Sequence, residues 1–538
     1  MDSFVEEFSN YKLPILPNKL NHLPDRISQT FSDKTLFITG GTGFLGKVLL
    51  EKLLRKTSDI KKIYLLLRPK KGVQPKERVE VLFNSPLFDH LKALKGTTFL
   101  EKIVPIAGDA GEINLDISEK DRITLTEEVN IVFHVAATVR FDEPLKKTLL
   151  LNTRGTKFTL ELAKDMKNLE MFMYVSTAYS HPQEKVLHEK AYVPPIDPHK
   201  AIELVETLDE TIVNKLSKHM LGNFPNGYAY TKCLAEHLVV EQIKSGLPCI
   251  IVRPSIVIPI WKEPLPGWTD NINGPVGLLI GAGKGVIRTM YCNNNGVADF
   301  LPVDIAVNGI LLFAWNYIKN NEKSLTIGHL MSTQEVKVTW KEIIDLGKDI
   351  VTTEIPLNGC VWYPGGSLKS SRILHNICIF FLQIIPAYIL DAFIFLSGNK
   401  PCLVRIQERI CKGFDVFEFY TNNQWEFIMD RSYQVRNKMN DREKFEYKVD
   451  STGLDLRAYF KNCIMGARIY ILKEMPDTLA NARRHIKTMR FIDIVVKILF
   501  VFLLFWKMLD WSDTILAVGL FLFNLVKLVF NSTTSLFN

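Results

Sequence analysis

The chain has 538 residues, of which 47% are hydrophobic, and its mean hydropathy is +0.06. This length is sufficient for two or three domains with a large buried core. Its 66 basic residues outnumber its 58 acidic residues, which gives a net charge of +8. The basic residues are dispersed and show no basic-aromatic pattern, so nucleic acid is excluded as an expected partner.

Cysteine spacing and the N-terminus indicate the compartment. None of the eight cysteines forms a CxxC pair, so neither a metal site nor a dense disulfide framework is indicated. The first residues lack a basic region followed by an apolar run, and a cleaved secretory signal is therefore not expected. Reduced thiols facing the cytosol are the simplest interpretation.

Residues 1–33 are polar and punctuated by proline, and they read as an arm without a core of its own. From residue 34, short apolar runs alternate with segments of helical periodicity such as 47–56 and 151–164. The predicted strands are 35–39, 62–67, 99–107, 130–136, 171–176 and 248–253. Apolar strands interleaved with helices predict a doubly wound α/β domain of Rossmann type over residues 34–355, with a substrate-side insertion.

The first strand leads directly into a glycine-rich turn, Gly40-Gly41-Thr42-Gly43-Phe44-Leu45-Gly46, and then into a helix. Gly40 would allow the tight turn, Gly43 the approach of a pyrophosphate, and Gly46 close packing of helix on strand. The helix N-terminus would offer free N–H groups to the phosphates. Residues 41–47 also fit the spacing of an NTPase loop, but Val48 cannot hold magnesium, which argues against ATP.

Three further positions at strand ends are candidate cofactor contacts. Arg68 follows the second strand, where an enzyme that prefers NAD usually has Asp or Glu. A guanidinium there favours the 2′-phosphate of NADPH, although a solvated basic loop is the alternative. Asp109 after the third strand could accept from the adenine amino group, or could be only a turn residue. Ala136 after the fourth permits close approach, and His134 beside it is more simply explained by packing.

Tyr228 and Lys232 form the only Tyr-x3-Lys pattern of the chain, and the following residues have helical character. At i and i+4 both side chains lie on one helix face. We expect the ammonium to lower the pKa of the phenol, so that Tyr228 can protonate a developing alkoxide, and to hold the nicotinamide ribose. Ser176 and Thr177 follow another predicted strand, where either hydroxyl could polarise a substrate carbonyl.

The second half of the chain changes composition. Residues 376–398 are very apolar but contain Gln383, Pro386 and Asp391, which favours a buried or interfacial helical hairpin over a membrane span. Residues 401–474 read as a small helical domain. A basic cluster at 483–490 precedes two apolar segments, 491–509 and 514–530, which predict membrane attachment of the tail by a span or an interfacial helix.

From about residue 33 to 470 these patterns resemble the fatty acyl-CoA reductases of the extended short-chain dehydrogenase/reductase superfamily. The first three matching motifs, shared across the superfamily, are at 39–46, 175–179 and 228–232. More particular ones are at 252–255, 263–268, 271, 273–275, 281–285, 302–304 and 420–425. The resemblance implies four parts: an arm (1–33), an NADP-binding reductase domain (34–355), the family's helical C-terminal domain (356–474) and a basic linker with a membrane-associated tail (475–538).

The resemblance also implies a reaction. NADPH would reduce a long-chain fatty acyl-CoA to a primary alcohol in two steps, with release of CoA and an enzyme-bound aldehyde between them. It implies that Tyr228 is the proton donor and that Thr177, aided by Ser176, polarises the carbonyl. The expected location is the membrane of the endoplasmic reticulum or the peroxisome, with the catalytic domain facing the cytosol.

Three alternatives stay open at this point. A thioester reductase that stops at the aldehyde would carry the same residues. A steroid or sugar-nucleotide enzyme of the superfamily fits the apolar segment and tail less well than an acyl chain does. A non-catalytic nucleotide-binding membrane scaffold would not need Tyr228, Lys232 and a hydroxyl pair.

Overall fold

A computed structural model describes residues 3–57, 59–69, 72–319, 327–332 and 335–534. Its centre is a seven-stranded, wholly parallel sheet with the strand order β7-β6-β5-β4-β1-β2-β3. The strands are β1 (Thr35–Thr39), β2 (Lys62–Leu67), β3 (Ile103–Ala107), β4 (Ile131–His134), β5 (Met171–Val175), β6 (Cys249–Pro254) and β7 (Ile327–Leu330). The order reverses between β1 and β4, as in a doubly wound Rossmann sheet, and this confirms the predicted fold class.

Six of these strands were predicted, and two of them are shorter than expected by more than one residue. The segment 99–107 begins with the 3-10 turn Thr98–Lys102, so β3 starts at Ile103, and β4 ends at His134 rather than at residue 136. The prediction missed β7, a four-residue strand that contains a glycine and a histidine. It pairs with β6 at the edge of the sheet, where its long-range partner rather than its own pattern defines it.

Helices cover both faces of the sheet. Alternate residues of β1 point to opposite sides, so Leu36 and Ile38 belong to one hydrophobic cluster and Phe37 to the other. The helices of this region are Phe44–Lys56, Pro75–Phe83, Asp89–Lys95, Glu119–Glu128, Leu145–Leu149, Gly155–Lys164, Pro198–Thr207, Glu210–Leu221, Gly227–Lys244, Pro275–Gly283, Val303–Lys319 and Trp340–Thr353. Burial on both sides explains why the strands are almost uniformly apolar.

Three short strand pairs connect the sheet region to itself and to the C-terminal half. Ile256–Ile258 pairs with Phe300–Pro302 beside the carboxyl end of β6. Thr289–Tyr291 pairs with Ser367–Lys369, and Val186–Leu187 pairs with Glu426–Phe427. The last two pairs hold the C-terminal half against the edge where the strands end.

The N-terminal arm contains the short helices Ser3–Ser9 and Arg26–Gln29. Ile27 and Phe31 are buried in the main core. Arg26 donates to Glu443 of the C-terminal half, with the Nε–Oε1 distance at 2.9 Å. The arm therefore joins the two halves of the molecule.

The C-terminal half is helical, as predicted for residues 401–474. Its helices are Arg372–Ile379, Ile385–Leu396, Leu403–Asn422, Asp430–Arg436, Asp441–Glu446 and Leu456–Gly466. The prediction of a hairpin within 376–398 is wrong, because a π-turn at Phe380–Ile384 joins the first two of these helices into one. The hairpin is formed instead with Leu403–Asn422, and the side chains of Gln383 and Asp391 make tertiary hydrogen bonds.

The tail is a single helix, Leu479–Thr534, and not two separate apolar segments. The apolar side chains between 491 and 509 are largely exposed. Within the part of the chain that the structure describes, one helix, Arg372–Leu396, is long and apolar enough to cross a membrane. The tail and this helix thus both carry exposed apolar side chains.

Candidate functional site

The glycine-rich turn connects β1 to the helix Phe44–Lys56 and requires glycine at two positions. Gly40 has φ +75°, and a Cβ on it would lie 2.6 Å from the backbone nitrogen of Ala136. A Cβ on Gly46 would lie 2.2 Å from the carbonyl oxygen of Gly40. Gly43 precedes the helix and has fewer close neighbours. The turn thereby leaves the first N–H groups of the helix free to face a ligand.

One cavity of about 660 Å³ lies above the carboxyl ends of the strands, at the switch point between β1 and β4. Its volume falls within the range of small-molecule and cofactor sites. Every site residue expected from the sequence lines it: Gly40, Thr42, Gly43, Phe44, Leu45, Gly46, Arg68, Asp109, Ala136, Ser176, Thr177, Tyr228 and Lys232. The cavity therefore brings the predicted cofactor and catalytic residues to one place.

Two guanidinium groups flank the end of the cavity near β2. The Arg68 side chain is 65% exposed, and its Nη1 lies 3.7 Å from Oδ2 of Asp109, so it is free to turn towards a ligand. Arg78, on the helix Pro75–Phe83, donates to the carbonyl oxygen of Arg68 and also lines the cavity. Burial and the charge of Arg68 lower the pKa of Arg78. Sequence reasoning missed Arg78, whose only signal was a basic residue shortly after β2.

Asp109 and His134 have internal partners. Oδ1 of Asp109 accepts from the backbone N–H of Gly111 at 3.0 Å. His134 is buried between the hydroxyls of Thr39 and Thr156, at 2.7 and 3.0 Å from its ring nitrogens. Burial lowers its pKa to about 3, so His134 is a neutral, packed histidine.

Tyr228 and Lys232 lie on the helix Gly227–Lys244, which Asn226 caps by accepting from the N–H of Ala229. Burial raises the pKa of Tyr228 to about 12, and the Thr177 side chain opposes this rise. The expected lowering of the phenol pKa by Lys232 is therefore wrong for this state of the protein. Lys232 is itself driven towards neutrality, since burial lowers its pKa to about 7.

The Lys232 side chain is held from two sides. Its Nζ donates to the carbonyl oxygen of Val175 at 2.7 Å, at the end of β5. The same nitrogen lies 4.6 Å from the centroid of the Tyr174 ring. Both contacts fix the ammonium beside the residues that follow β5.

The two hydroxyls after β5 differ in their partners. Thr177 Oγ1 accepts from the N–H of Tyr179 at 3.3 Å. The Thr177 side chain also hydrogen-bonds with Tyr228 and so works against the rise in the pKa of the phenol. The hydroxyl of Ser176 is buried and has no hydrogen-bond partner among the residues that the structure describes. A buried, unpaired hydroxyl that lines a cavity is suited to a ligand oxygen. Both hydroxyls thus line the cavity close to Tyr228.

A buried ion pair lies one helical turn behind Lys232. Glu236 accepts from Arg253 at 2.9 Å (Nε) and 2.7 Å (Nη2), and also from Ser180 at 3.0 Å. His181 lies 3.2 Å from the second oxygen of Glu236. Burial alone would raise the pKa of Glu236, but the Arg253 charge and these hydrogen bonds hold it far below its usual range. The network explains why the polar residues Ser180 and His181 are buried.

Aromatic side chains form the wall opposite the glycine turn. The Phe141 ring lies 5.4 Å from that of Tyr228 and 6.0 Å from that of Tyr420, measured between centroids. The hydroxyl of Tyr420 accepts from the Asn226 amide at 3.0 Å. Tyr420 comes from the helix Leu403–Asn422, so the C-terminal half completes the site. Nothing in the local sequence pattern places Tyr420 next to Tyr228.

A second, apolar cavity of about 120 Å³ adjoins the first. Pro275 and Trp340 line both cavities, and in the described part of the chain the buried indole N–H of Trp340 has no hydrogen-bond partner. Its lining is almost wholly apolar and includes Ile258, Leu279, Ala282, Ile287, Met290, Ile343, Val351 and Phe460. The first cavity, which carries the predicted catalytic residues, thus adjoins an almost wholly apolar one.

The sheet order, the glycine turn and the Tyr-x3-Lys helix at one cavity define a nicotinamide-dependent oxidoreductase of Rossmann type. Solved structures support the fold. A reductase domain of a nonribosomal peptide synthetase from Mycobacterium tuberculosis has a TM-score of 0.54 at 17% identity and covers 88% of this chain and 97% of its own. The terminal reductase domain of the myxalamid pathway has a TM-score of 0.53 at 19% identity, covering 82% and 92%.

Sequence comparison identifies the family. Two family models described as male sterility protein match, an NAD-binding one at residues 38–310 and one named Sterile at 382–474. Fatty acyl-CoA reductase 1 from Homo sapiens is 38% identical over 466 residues, covering 86% of this chain and 90% of its own. Fatty acyl-CoA reductase wat from Drosophila melanogaster is 35% identical over 478 residues, covering 89% and 92%. The chain belongs to the fatty acyl-CoA reductase family.

Proposed function

We propose that the protein reduces long-chain fatty acyl-CoA to the primary fatty alcohol with NADPH, releasing CoA. The observation that carries this proposal is a single cavity that joins the glycine turn, Tyr228, Lys232 and two hydroxyls, and that continues into an apolar cavity. A thioester with a long apolar tail matches this arrangement, with its carbonyl group in the first cavity and its tail in the apolar one.

The cofactor fits the residues that are present. Gly40, Thr42, Gly43, Phe44, Leu45 and Gly46 would hold the pyrophosphate against the helix N-terminus. Arg68, with Arg78 beside it, would pair with a 2′-phosphate, which favours NADPH over NADH. Asp109 and Ala136 would contact the adenine and the nicotinamide side, and Lys232 the ribose. When bound, NADPH supplies a hydride to the carbonyl carbon.

The protein's own groups would manage the proton and the oxygen. Thr177 and Ser176 donate to the carbonyl oxygen and stabilise its developing charge. Tyr228, whose pKa of about 12 keeps it protonated at neutral pH, transfers its proton to that oxygen. The C–S bond of the resulting hemithioacetal then breaks, CoA leaves as the thiol, and an aldehyde stays bound. Once Tyr228 has regained a proton from solvent, it would protonate the aldehyde oxygen while a second NADPH would supply the hydride that gives the alcohol.

The apolar cavity would take the acyl chain. The thioester carbon has to lie beside Tyr228, and the chain would then pass Pro275 and Trp340 to reach the cavity. Burial of methylene groups in such a lining is favourable by about 0.8 kcal/mol each. This gives the substrate preference for a fatty acyl group a physical basis.

We extend the proposal to organisation and location. The chain divides into an arm (1–33), the reductase domain (34–355), a helical domain (356–474) and a basic linker with a membrane-associated tail (475–538). Exposed apolar side chains between 491 and 509 support attachment through the tail. The catalytic domain would face the cytosol, at the endoplasmic reticulum or the peroxisome.

Cofactor stoichiometry tests the reaction. Purified protein is supplied with NADPH and a long-chain acyl-CoA, and NADPH oxidised, free CoA and lipid products are measured together. We expect two NADPH per CoA and an alcohol product. One NADPH per CoA with accumulation of aldehyde would assign the protein to the aldehyde-forming class. No turnover with bound NADPH would favour a nucleotide-binding scaffold.

A further inference from the structure

The longest exposed apolar surface of the folded body is the helix Arg372–Leu396. Only a narrow stripe of this helix, including Gln383, Ala387 and Asp391, is buried against the protein. Most of the remaining side chains are large and apolar, and among them Phe381 is 60% and Phe393 is 64% exposed. A contiguous surface of this kind marks a contact with another apolar phase or molecule.

The polar residues Gln383 and Asp391 do not interrupt the outer surface of this helix, because both are buried against the protein. Oε1 of Gln383 accepts from the backbone N–H groups of Arg288 and Thr289 at 2.8 and 3.2 Å. Asp391 accepts from three backbone N–H groups at the start of the helix Leu403–Asn422, each at 2.9 Å. These bonds fix the helix along its length, so it lies on the body instead of leaving it as a free span.

The membrane-proximal tail starts beside the same point. Asp493, in the tail helix, accepts from the indole N–H of Trp362 at 2.7 Å and lies 3.8 Å from Nη2 of Arg288. Arg288 therefore contacts both apolar elements, through its backbone N–H and through its guanidinium. The exposed apolar residues of the two helices emerge from one side of the molecule.

We infer that this side is a lipid-binding surface, with Arg372–Leu396 lying in the membrane interface as a second contact beside the tail. Basic residues at its margin, Arg372 with a 62% exposed side chain and Lys497 with 66%, suit the negative charge of phospholipid headgroups. A bilayer is the occupant because the surface offers large apolar side chains over the whole helix and few polar groups for a protein partner.

The lipid-binding surface lies directly over the apolar cavity. Ile287 and Thr289, on either side of Arg288, line that cavity, as does Leu368 of the paired strand Ser367–Lys369. Resting on the proposed function, the inference is that acyl chains enter, and fatty alcohol leaves, on the side that contacts lipid. Such a route spares the apolar chain and product from crossing water.

Depth-dependent fluorescence tests the surface itself. In the full chain, Phe381 or Phe393 is replaced by an environment-sensitive fluorescent amino acid, and vesicles of phosphatidylcholine and phosphatidylserine are added. We expect a blue shift, and quenching when the phosphatidylcholine carries brominated acyl chains. Val81, which is 70% exposed on another helix, is the matched control and should give neither. Quenching at Phe502 in the tail without quenching at Phe381 or Phe393 would overturn the inference.

Kinetics test the route. The variant Phe381→Glu/Phe393→Glu should raise KM for a long-chain acyl-CoA presented on vesicles by roughly tenfold per phenylalanine. Its kcat/KM for a short, water-soluble acyl-CoA should stay unchanged. The variant Val81→Glu/Leu94→Glu, at exposed positions elsewhere, should leave both unchanged. Equal loss for both substrates, or loss for neither, would refute the route. A wild-type protein that reduces no acyl-CoA would refute the proposed function, while the fluorescence would still report on the surface.

Discussion

The cofactor end and the acyl end of the site are built in different ways. At the cofactor end, residues 40–46, 68, 109, 136 and 176–177 all follow directly from strands of one sheet. At the acyl end, the lining comes from separate elements between residues 258 and 463 and contains no contiguous motif. The path of the backbone determines the shape of the cofactor end, and the volume of the side chains determines the shape of the acyl end.

The two ends of the site should therefore differ in the substitutions that they tolerate. A single methyl group at Gly46 would lie 2.2 Å from a backbone oxygen, so the cofactor end has no freedom there. The acyl end presents side chains whose size can vary while the fold is kept. We therefore expect substitutions at the cofactor and catalytic positions to abolish function, and substitutions at the acyl end to change the substrate.

The largest effect should come from Tyr228→Phe. Loss of the proton donor should reduce kcat by about 10²- to 10⁴-fold, while NADPH binding stays within a small factor of wild type. Tyr230→Phe, two residues on and buried outside the cavity, is the control and should keep its activity. Steady-state rates and NADPH fluorescence titrations measure both. Full activity of Tyr228→Phe would remove the assigned donor.

Arg68→Ala should separate the two nicotinamide cofactors. Loss of a charge-assisted contact worth about 1.5–3 kcal/mol should weaken NADPH by roughly 10- to 150-fold and NADH much less. Arg122→Ala, which removes an exposed pair with Asp165, should affect neither cofactor. The ratio of kcat/KM values for the two cofactors is the measurement. Equal losses would show that Arg68 does not contact the 2′-phosphate.

Ala282→Leu should affect the acyl end alone, because it fills the apolar cavity without contacting the cofactor end. We expect kcat/KM for the longest acyl-CoA to fall by about tenfold and the optimum to move to shorter chains, with the KM for NADPH unchanged. Ala93→Leu, the same change at an exposed position, is the control. A uniform decrease across chain lengths would contradict the placement of the acyl chain.

The smallest effect concerns stability and pH. Lys232 loses its proton at a pKa of about 7 in the folded protein and near 10.5 when unfolded. Between these values the unfolded state binds more protons, so the free energy of unfolding rises with pH, by at most about 1.4 kcal/mol per unit. Lys232→Met removes this term. Thermal unfolding midpoints from pH 7 to 9 should rise for wild type relative to the variant; parallel curves would contradict the shift.

Elements that depend on neighbouring residues in the chain could be predicted from the sequence alone. Apolar runs of strand length predicted six of the seven central strands, since a parallel sheet is buried on both faces. Glycine spacing identified the turn after β1, because φ at Gly40 and the contact at Gly46 exclude a side chain. The four-residue interval between Tyr228 and Lys232 placed both on one helix face.

Features that depend on partners far away in the sequence became visible only in the tertiary structure. Tyr420 and Arg78 reach the cavity from other elements, and β7 is a strand because β6 pairs with it. The pKa of Tyr228 rises where the sequence suggested a fall, since burial outweighs the opposing hydrogen bond with Thr177. The helix Arg372–Leu396 turns Gln383 and Asp391 inward through tertiary hydrogen bonds. Burial and long-range contacts are properties of the folded chain, so local pattern cannot encode them residue by residue.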